Sequence, residues 1–308
     1  MFSKTAPKIP IIYSDKYYVE IGEHVFPTSK YRILRKRLES DAFVKDKFEI
    51  CPPETAKEEE VLTVHTKEYI NKLKTGTLSP DEVFKMELPY SPEIAEAAFV
   101  TCGGTITASF RALAKKAAIH LGGGFHHAFP DHGEGFCVLN DVAVSIRTLQ
   151  REGAVKKALI IDCDLHQGNG TAYIFNGDPA VFTFSIHQEN NYPPIKPESD
   201  VDIGLRDWTG DKVYMQYLHD NIPKIISTFK PEIILYLAGA DPYEEDQLGK
   251  LRLTKKGLRE RDNFVCTQAL NFDVPIAITL AGGYAANRED TVDIHFGTVE
   301  ECIRVFTG

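Results

Sequence analysis

No run of about 18 apolar residues occurs in these 308 residues, so the sequence predicts no membrane-spanning helix. The opening, Met1 to Ser14, lacks the basic-then-apolar pattern of a secretory leader, and a cytoplasmic location is expected. No C-x-x-C pair is present. The six cysteines (Cys51, Cys102, Cys137, Cys163, Cys266, Cys302) are scattered, which suits a reduced protein with buried thiols better than a disulfide framework. Basic charge is not in excess: 35 Lys and Arg face 44 Asp and Glu, and a formal charge of −9 argues against a nucleic-acid partner. The basic stretch Lys30 to Arg37 interleaves only Tyr31, too little for a base-stacking platform, and reads as the solvated face of a helix. Glu58-Glu59-Glu60 reads as surface, and Trp208 as a packing residue. Neither glycine pattern for phosphate, G-x-G-x-x-G or G-x-x-x-x-G-K-[ST], occurs in a suitable context, and no G-x-S-x-G nucleophile elbow is present. No repeat and no Gly/Ser linker divides the chain, so residues 1–308 are read as a single domain.

What is present is an alternation. Apolar, β-rich runs at Ile9–Tyr13, Ala117–Leu121, Ala158–Ile161, Val181–Ile186, Ile233–Ala238 and Pro275–Leu280 are separated by amphipathic stretches. Those stretches include Ile94–Ala114, Asn140–Glu152, Tyr214–Phe229 and Lys255–Leu270. Continuous apolar strands between helices predict an α/β fold, a predominantly parallel sheet with helices on both faces. In such sheets ligands bind beyond the carboxyl ends of the strands. Glycine and polar clusters fall at five of those ends: Gly122–His127, Asp162–Gly170, His187, Gly239–Asp241 and Gly282–Tyr284.

The segment Asp162-Cys163-Asp164-Leu165-His166-Gln167-Gly168-Asn169-Gly170 carries the most information. Carboxylates and imidazole at the end of a buried strand need compensation. In an extended chain Asp162, Asp164 and His166 point to one side and Cys163 to the other. Asp164, His166 and Asp241 offer two carboxylates and one imidazole, the three-ligand set of a catalytic zinc site with one position open. Each aspartate alone would read as a helix cap; His166 two residues after Asp164 favours a metal. His166 is expected to offer one ring nitrogen to the ion and to donate from the other to an acceptor. Two carboxylates and one imidazole do not exclude iron. The adjacent His126 and His127 follow three glycines and suit proton transfer, with Asp162 and Asn169 available to orient them. Tyr284, on a Gly-Gly hinge, could stabilise an oxyanion, although a tyrosine alone more often packs.

These residues resemble the zinc-dependent histone deacetylase family. The resemblance is carried by Gly122-Gly123-Gly124-Phe125-His126-His127, Gly135-Phe136-Cys137, Asp162 to Gly170, Ala238-Gly239-Ala240-Asp241 and Gly282-Gly283-Tyr284. It runs from Ile9 to about Phe306. Gln167 with Asn169, the stretch Gly249-Lys250-Leu251 to Arg261-Asp262, the opening Ile9 to Ser14 and Val64-His65-Thr66 look most like its class IV branch. The resemblance implies the arginase/deacetylase fold and removal of acetyl or longer acyl groups from the ε-amine of lysine. It implies zinc on Asp164, His166 and Asp241, His127 as general base and acid, and His126 as its electrostatic partner. Asp162 would orient His126, Asn169 would orient His127, and Tyr284 would polarise the acyl carbonyl. Gly135 and Phe136, with Tyr192 and Leu248, would wall an acyl-lysine tunnel. Backbone carbonyls of Asp162, Asp164 and His166, with Ser185 and Ile186, would hold K+. The partner would be an acyl-lysine protein or peptide, or a small acylated amine such as an acetylpolyamine. A binding module without turnover would have lost a ligand, a histidine or the tyrosine, and none is lost. Class I members usually carry an aspartate where this chain has Asn169, so Asn169→Asp is expected to raise the His127 pKa.

Overall fold

The computed structural model describes residues 8–308, so residues 1–7 of Met1–Ser14, the segment read as lacking a leader pattern, lie outside the described residues. Eight strands form one sheet: β1 (Ile9–Ile12), β2 (Phe48–Cys51), β3 (Ala117–His120), β4 (Ala158–Asp162), β5 (Val181–Gln188), β6 (Val201–Leu205), β7 (Ile233–Leu237) and β8 (Ile276–Thr279). Their order is β2-β1-β3-β8-β7-β4-β5-β6, and every pairing is parallel. All six expected strands are present. The two unforeseen ones lie at the sheet edges, where Glu49 and Asp202 face solvent and dilute the apolar signal.

Alternating side chains serve two cores. Ile119, Ile278, Tyr236 and Ile161 join the larger core on one face. On the other, Ile160, Leu235 and Leu237 pack with Val142, Ile146 and Leu149, and small residues meet where a helix comes close: Ala118 and Ala277 against Ala108 and Ala112. The covering helices start where the chain supplies caps. Pro92–Lys115 opens on Ser91, which accepts from the Ile94 amide, with Pro92 in its first turn. Asp141–Arg151 opens on Asn140, which accepts from the Ala143 amide. Lys255–Asn271 opens on Thr254, and Asp211–Phe229 carries Pro223 within it.

Two surface readings are corrected. Lys30–Ser40 is a helix, but Lys30 is 1% exposed and Tyr31 is buried. The helix is laid down on the protein, and the Lys30 ammonium donates to the Ala281 carbonyl (2.9 Å). Trp208 is 59% exposed rather than packed, at φ +67°, with the Arg252 guanidinium 4.6 Å from its ring centroid. All six cysteines are free and buried. No helix among the described residues is long and apolar enough to cross a membrane.

Candidate active site and metal centre

Four neighbouring strands, β3, β8, β7 and β4, send their carboxyl ends to one place. Strand β4 stops at Asp162. Beyond it the chain makes two successive side-chain turns: Asp162 Oδ1 accepts from the Asp164 amide (3.1 Å), and Asp164 Oδ1 from the His166 amide (3.0 Å). These turns, rather than the alternation of an extended strand, place Asp164 and His166. Asp162 itself turns to His126.

After β7, Asp241 Oδ1 accepts from the Leu165 amide (2.9 Å), which ties it to the Asp164 segment. His166 Nδ1 lies 3.2 Å from Asp164 Oδ1 and 3.4 Å from Asp241 Oδ2. Ligand atoms of Asp164, His166 and Asp241 all fall within 4.8 Å of one another, and all three residues are buried. Burial and the Asp164 carboxylate push Asp241 up to about 6. Its Oδ2 is buried without a hydrogen-bond partner. Two buried carboxylates this close, one with an orphaned oxygen, beside an imidazole nitrogen, form a donor set that fits a divalent cation. Contrary to expectation, Nε2 of His166 has no protein hydrogen-bond acceptor among the described residues.

The histidine pair follows β3. Gly123 and Gly124, at φ +74° and +85°, turn the chain so that both histidines line the same cavity as Asp164 and His166. His126 Nδ1 is 2.7 Å from Asp162 Oδ2, and its Nε2 is 3.1 Å from His127 Nε2. His127 Nδ1 is 2.7 Å from Asn169 Oδ1. Burial pulls the His126 pKa down, but the Asp162 and Asp164 carboxylates outweigh it and hold the ring at about 9. For His127, burial and then the neighbouring His126 and His166 drive the pKa well below the ordinary value, so the ring is neutral.

The loop after β8 brings Tyr284. Gly282 donates its amide to Asp164 Oδ2 (2.9 Å), and a Cβ there would run into the Asp241 and Asp164 carboxylates, so only glycine fits. Tyr284 is buried, and its amide donates to Asp246 Oδ2 (2.7 Å). Burial, then Asp164 and Asp241, push its phenol well above the usual range and keep it protonated. Tyr284 lines one cavity with His126, His127, Asp164 and His166.

A cleft leads in, lined by Gly135, Phe136, Tyr192 and Leu248 with His127, His166 and Tyr284. Phe136 is held at φ +66°, a strained backbone for an aromatic residue, by bonds from its amide to the Met86 carbonyl (2.9 Å) and from the Gly135 amide to the Lys85 carbonyl (3.2 Å). Behind Phe136 lies an apolar chamber lined by Tyr17, Phe26, Tyr31 and Phe125. Ser185 sits in register with Asp162 on the neighbouring strand, and Ile186 follows it. His187, expected at a strand end, lies inside β5 against the Ser185 hydroxyl (2.9 Å) and outside the metal cluster.

Four supporting residues were not singled out for a site role from sequence. Arg261 is fully buried; its Nη1 donates to the carbonyls of Cys163 (3.2 Å) and Gly239 (2.7 Å), one in each aspartate-bearing segment. Asp246 holds the Tyr284 amide, and Lys30 holds the Ala281 carbonyl. Glu134 accepts from Asn169 Nδ2 (2.6 Å) and from the Tyr192 hydroxyl (3.0 Å). A buried arginine beside Asp262 in a helix was a readable signal; an isolated lysine or glutamate was not.

Residues 24–297 match the histone deacetylase domain family. An uncharacterized protein of Picosynechococcus sp. is 39% identical over 287 residues, 93% of this chain and 95% of that one. Histone deacetylase 2 of Arabidopsis thaliana is 29% identical over 92% of this chain and 76% of its own length. A probable deacetylase of Archaeoglobus fulgidus is 30% identical over 89% of this chain and 81% of its own. With the all-parallel α/β sheet and the site at its carboxyl edge, the chain belongs to the histone deacetylase domain family and has the arginase/deacetylase fold.

Proposed function

We propose that this protein is a metal-dependent hydrolase that removes acetyl or longer acyl groups from the ε-amine of lysine, and that it belongs with the class IV branch of its family. The supporting observation is the convergence of the Asp164, His166 and Asp241 cluster, the His126–His127 pair and Tyr284 on one cavity. Asp164, His166 and Asp241 would hold Zn2+, the family's usual ion, or Fe2+; when bound, it supplies Lewis acidity toward water and the amide carbonyl. His127, neutral and held through Nδ1 by Asn169, takes the proton of the attacking water on Nε2. The water oxygen bonds to the amide carbon. Tyr284, protonated, donates to the oxyanion that develops. His126, fixed by Asp162, keeps positive charge beside that oxyanion. The C–N bond then breaks as His127 returns the proton to the leaving amine, giving a carboxylate and a lysine. Gly135, Phe136, Tyr192 and Leu248 guide the acyl-lysine chain, and the carbonyls of Asp162, Asp164 and His166 with Ser185 and Ile186 would hold K+, whose charge would stiffen the ligand segment.

Two features bear on the substrate. The apolar chamber behind Phe136 favours acyl chains longer than acetyl. The Glu87 side chain, in the entry cleft, favours a cationic amine and keeps an acetylpolyamine as the second reading. The test is hydroxamate-sensitive fluorophore release from acyl-lysine reporters of increasing chain length, run beside acetylputrescine. Turnover of acyl-lysine is the expected result. No turnover of any reporter by protein with metal bound would overturn the lysine reading, and turnover of acetylputrescine alone would establish the second.

A further inference from the structure

We propose that Glu134 is a positioning residue for this reaction, fixing the Asn169 amide and, through it, the nitrogen on which His127 carries its proton. The inference rests on the reading of His127 as general base.

The geometry is a chain of hydrogen bonds from the cleft wall to the base. Glu134 Oε1 accepts from Asn169 Nδ2 at 2.6 Å, and Asn169 Oδ1 lies 2.7 Å from His127 Nδ1. The same Oε1 accepts from the Tyr192 hydroxyl at 3.0 Å, and the Tyr192 ring meets His127 edge-on, centroids 5.0 Å apart. Oε2 lies 3.4 Å from His132 Nε2. The backbone at Glu134 is fixed by reciprocal bonds with Cys137 (3.0 and 2.9 Å). Burial would raise the Glu134 pKa, but the bonds from His132, Asn169 and Tyr192 outweigh it and hold the carboxyl below the usual range.

A carboxylate can only accept. Facing Glu134, the Asn169 amide must present its NH2 outward and its oxygen to the imidazole. That oxygen in turn requires a proton on His127 Nδ1, which leaves Nε2 with the lone pair a base needs. Without Glu134 the amide is free to rotate by 180° and offer its NH2 to Nδ1, which shifts the ring proton toward Nε2, against the opposing pull of His126 Nε2 at 3.1 Å, and a proton there blocks base catalysis. The charge also strengthens the chain as the imidazolium forms. An aspartate at position 169 would deliver that charge directly; here a neutral amide relays it from one residue farther out.

This changes the expectation for Asn169→Asp. The new carboxylate would face Glu134 across a hydrogen-bond distance, and two such groups share a proton. Loss of charge at Glu134 should therefore harm the wild type and help the Asn169→Asp variant, a reversal that a scaffolding role does not produce.

The experiment measures kcat and KM for whichever acyl-lysine reporter the wild type turns over, in Glu134→Gln, Glu134→Leu, Asn169→Asp and the Glu134→Gln/Asn169→Asp double variant. The 15N shifts of the His127 ring are recorded in the same proteins. Glu134→Gln keeps the acceptor and loses only the charge, so kcat should fall about 5-fold, the difference between a charge-assisted and a neutral hydrogen bond. Glu134→Leu should cost roughly 30-fold in kcat with KM little changed, and should move the His127 proton from Nδ1 toward Nε2. The double variant should be faster than Asn169→Asp alone. Glutamate variants within about 2-fold of wild type, an unmoved His127 tautomer in Glu134→Leu, or a double variant no faster than Asn169→Asp would each overturn the proposal. If the wild type turns over no acyl-lysine, the functional reading fails by itself, and the 15N shifts alone decide the role of Glu134.

Discussion

Arg261→Met should separate what holds the fold from what holds the metal ligands. Arg261 is fully buried, and its Nε donates to Asp262 Oδ1 at 2.9 Å. Methionine matches the length of the stem but donates nothing. Asp262 keeps donors from Tyr236 (2.5 Å) and Thr298 (2.6 Å), yet loses its counter-charge in a site closed to water. Removing one partner of a buried pair costs about 3–5 kcal/mol. At about 2 °C per kcal/mol for a chain of this size, the melting temperature should fall by about 6–10 °C. Arg261→Met/Asp262→Leu removes the stranded charge and should regain about half of that loss, the rest reflecting the lost bonds to the Cys163 and Gly239 carbonyls. Metal affinity should behave differently. The bonds from Arg261 anchor the backbone beside Asp164 and beside Asp241, so both variants should bind Zn2+ about 10–100-fold more weakly. The assays are thermal unfolding of metal-free protein, which removes stabilisation by bound ligand, and Zn2+ titration against a competing chelator. A melting temperature within about 2 °C of wild type in Arg261→Met, or unchanged Zn2+ affinity in both variants, would show that Arg261 secures neither the fold nor the ligand segments in this way.

Tyr284→Phe should lower kcat by about 10²–10³ while leaving KM within a few-fold, because the hydroxyl is needed only as the oxyanion forms; steady-state kinetics on an acyl-lysine reporter checks this. Gly282→Ala should leave the protein folded at lower stability but unable to bind Zn2+, since the added methyl strikes the Asp241 and Asp164 carboxylates; metal content and circular dichroism test it together. Acid should destabilise the fold through buried histidines outside the Asp164, His166 and Asp241 cluster, His65 and His120 among them. Burial lowers His65 to about 4 and His120 to about 3, from 6.5 in the unfolded chain. Stability from both is therefore complete above pH 6.5 and is lost as pH falls toward those values, by up to about 2 kcal/mol each at pH 5. Urea midpoints of metal-free protein at pH 7.5 and 5 measure the loss, and a midpoint that does not move would contradict it.

The sheet's centre was legible because strands buried on both faces leave continuous apolar runs: Ala158–Ile161 and Ile233–Ala238 could be little else. Its edges were not, because Phe48–Cys51 and Val201–Leu205 mix exposed charge with buried residues. The ligand-like side chains were visible as types, since carboxylates and histidines at buried strand ends demand an explanation. How Asp164 and His166 are aimed was misjudged, because side-chain turns begin where the strand stops at Asp162. The supporting groups were hidden for a common reason. Lys30, Asp246 and Glu134 reach partners 35 to 251 residues away along the chain, and local patterning carries no trace of such contacts. Lys30 even sat among basic residues that imitate a solvated face.

Asp164, His166 and Asp241 are proposed to hold the ion on which acyl-lysine hydrolysis depends. The most direct test is to strip the protein with a chelator, titrate Zn2+ back, and follow turnover of an acyl-lysine reporter against metal bound per chain. Activity should vanish in the stripped protein and return in proportion to one ion per chain, and Asp241→Asn should neither bind the ion nor recover. Full turnover by metal-free protein, or by Asp241→Asn, would show that hydrolysis does not depend on an ion at these three residues.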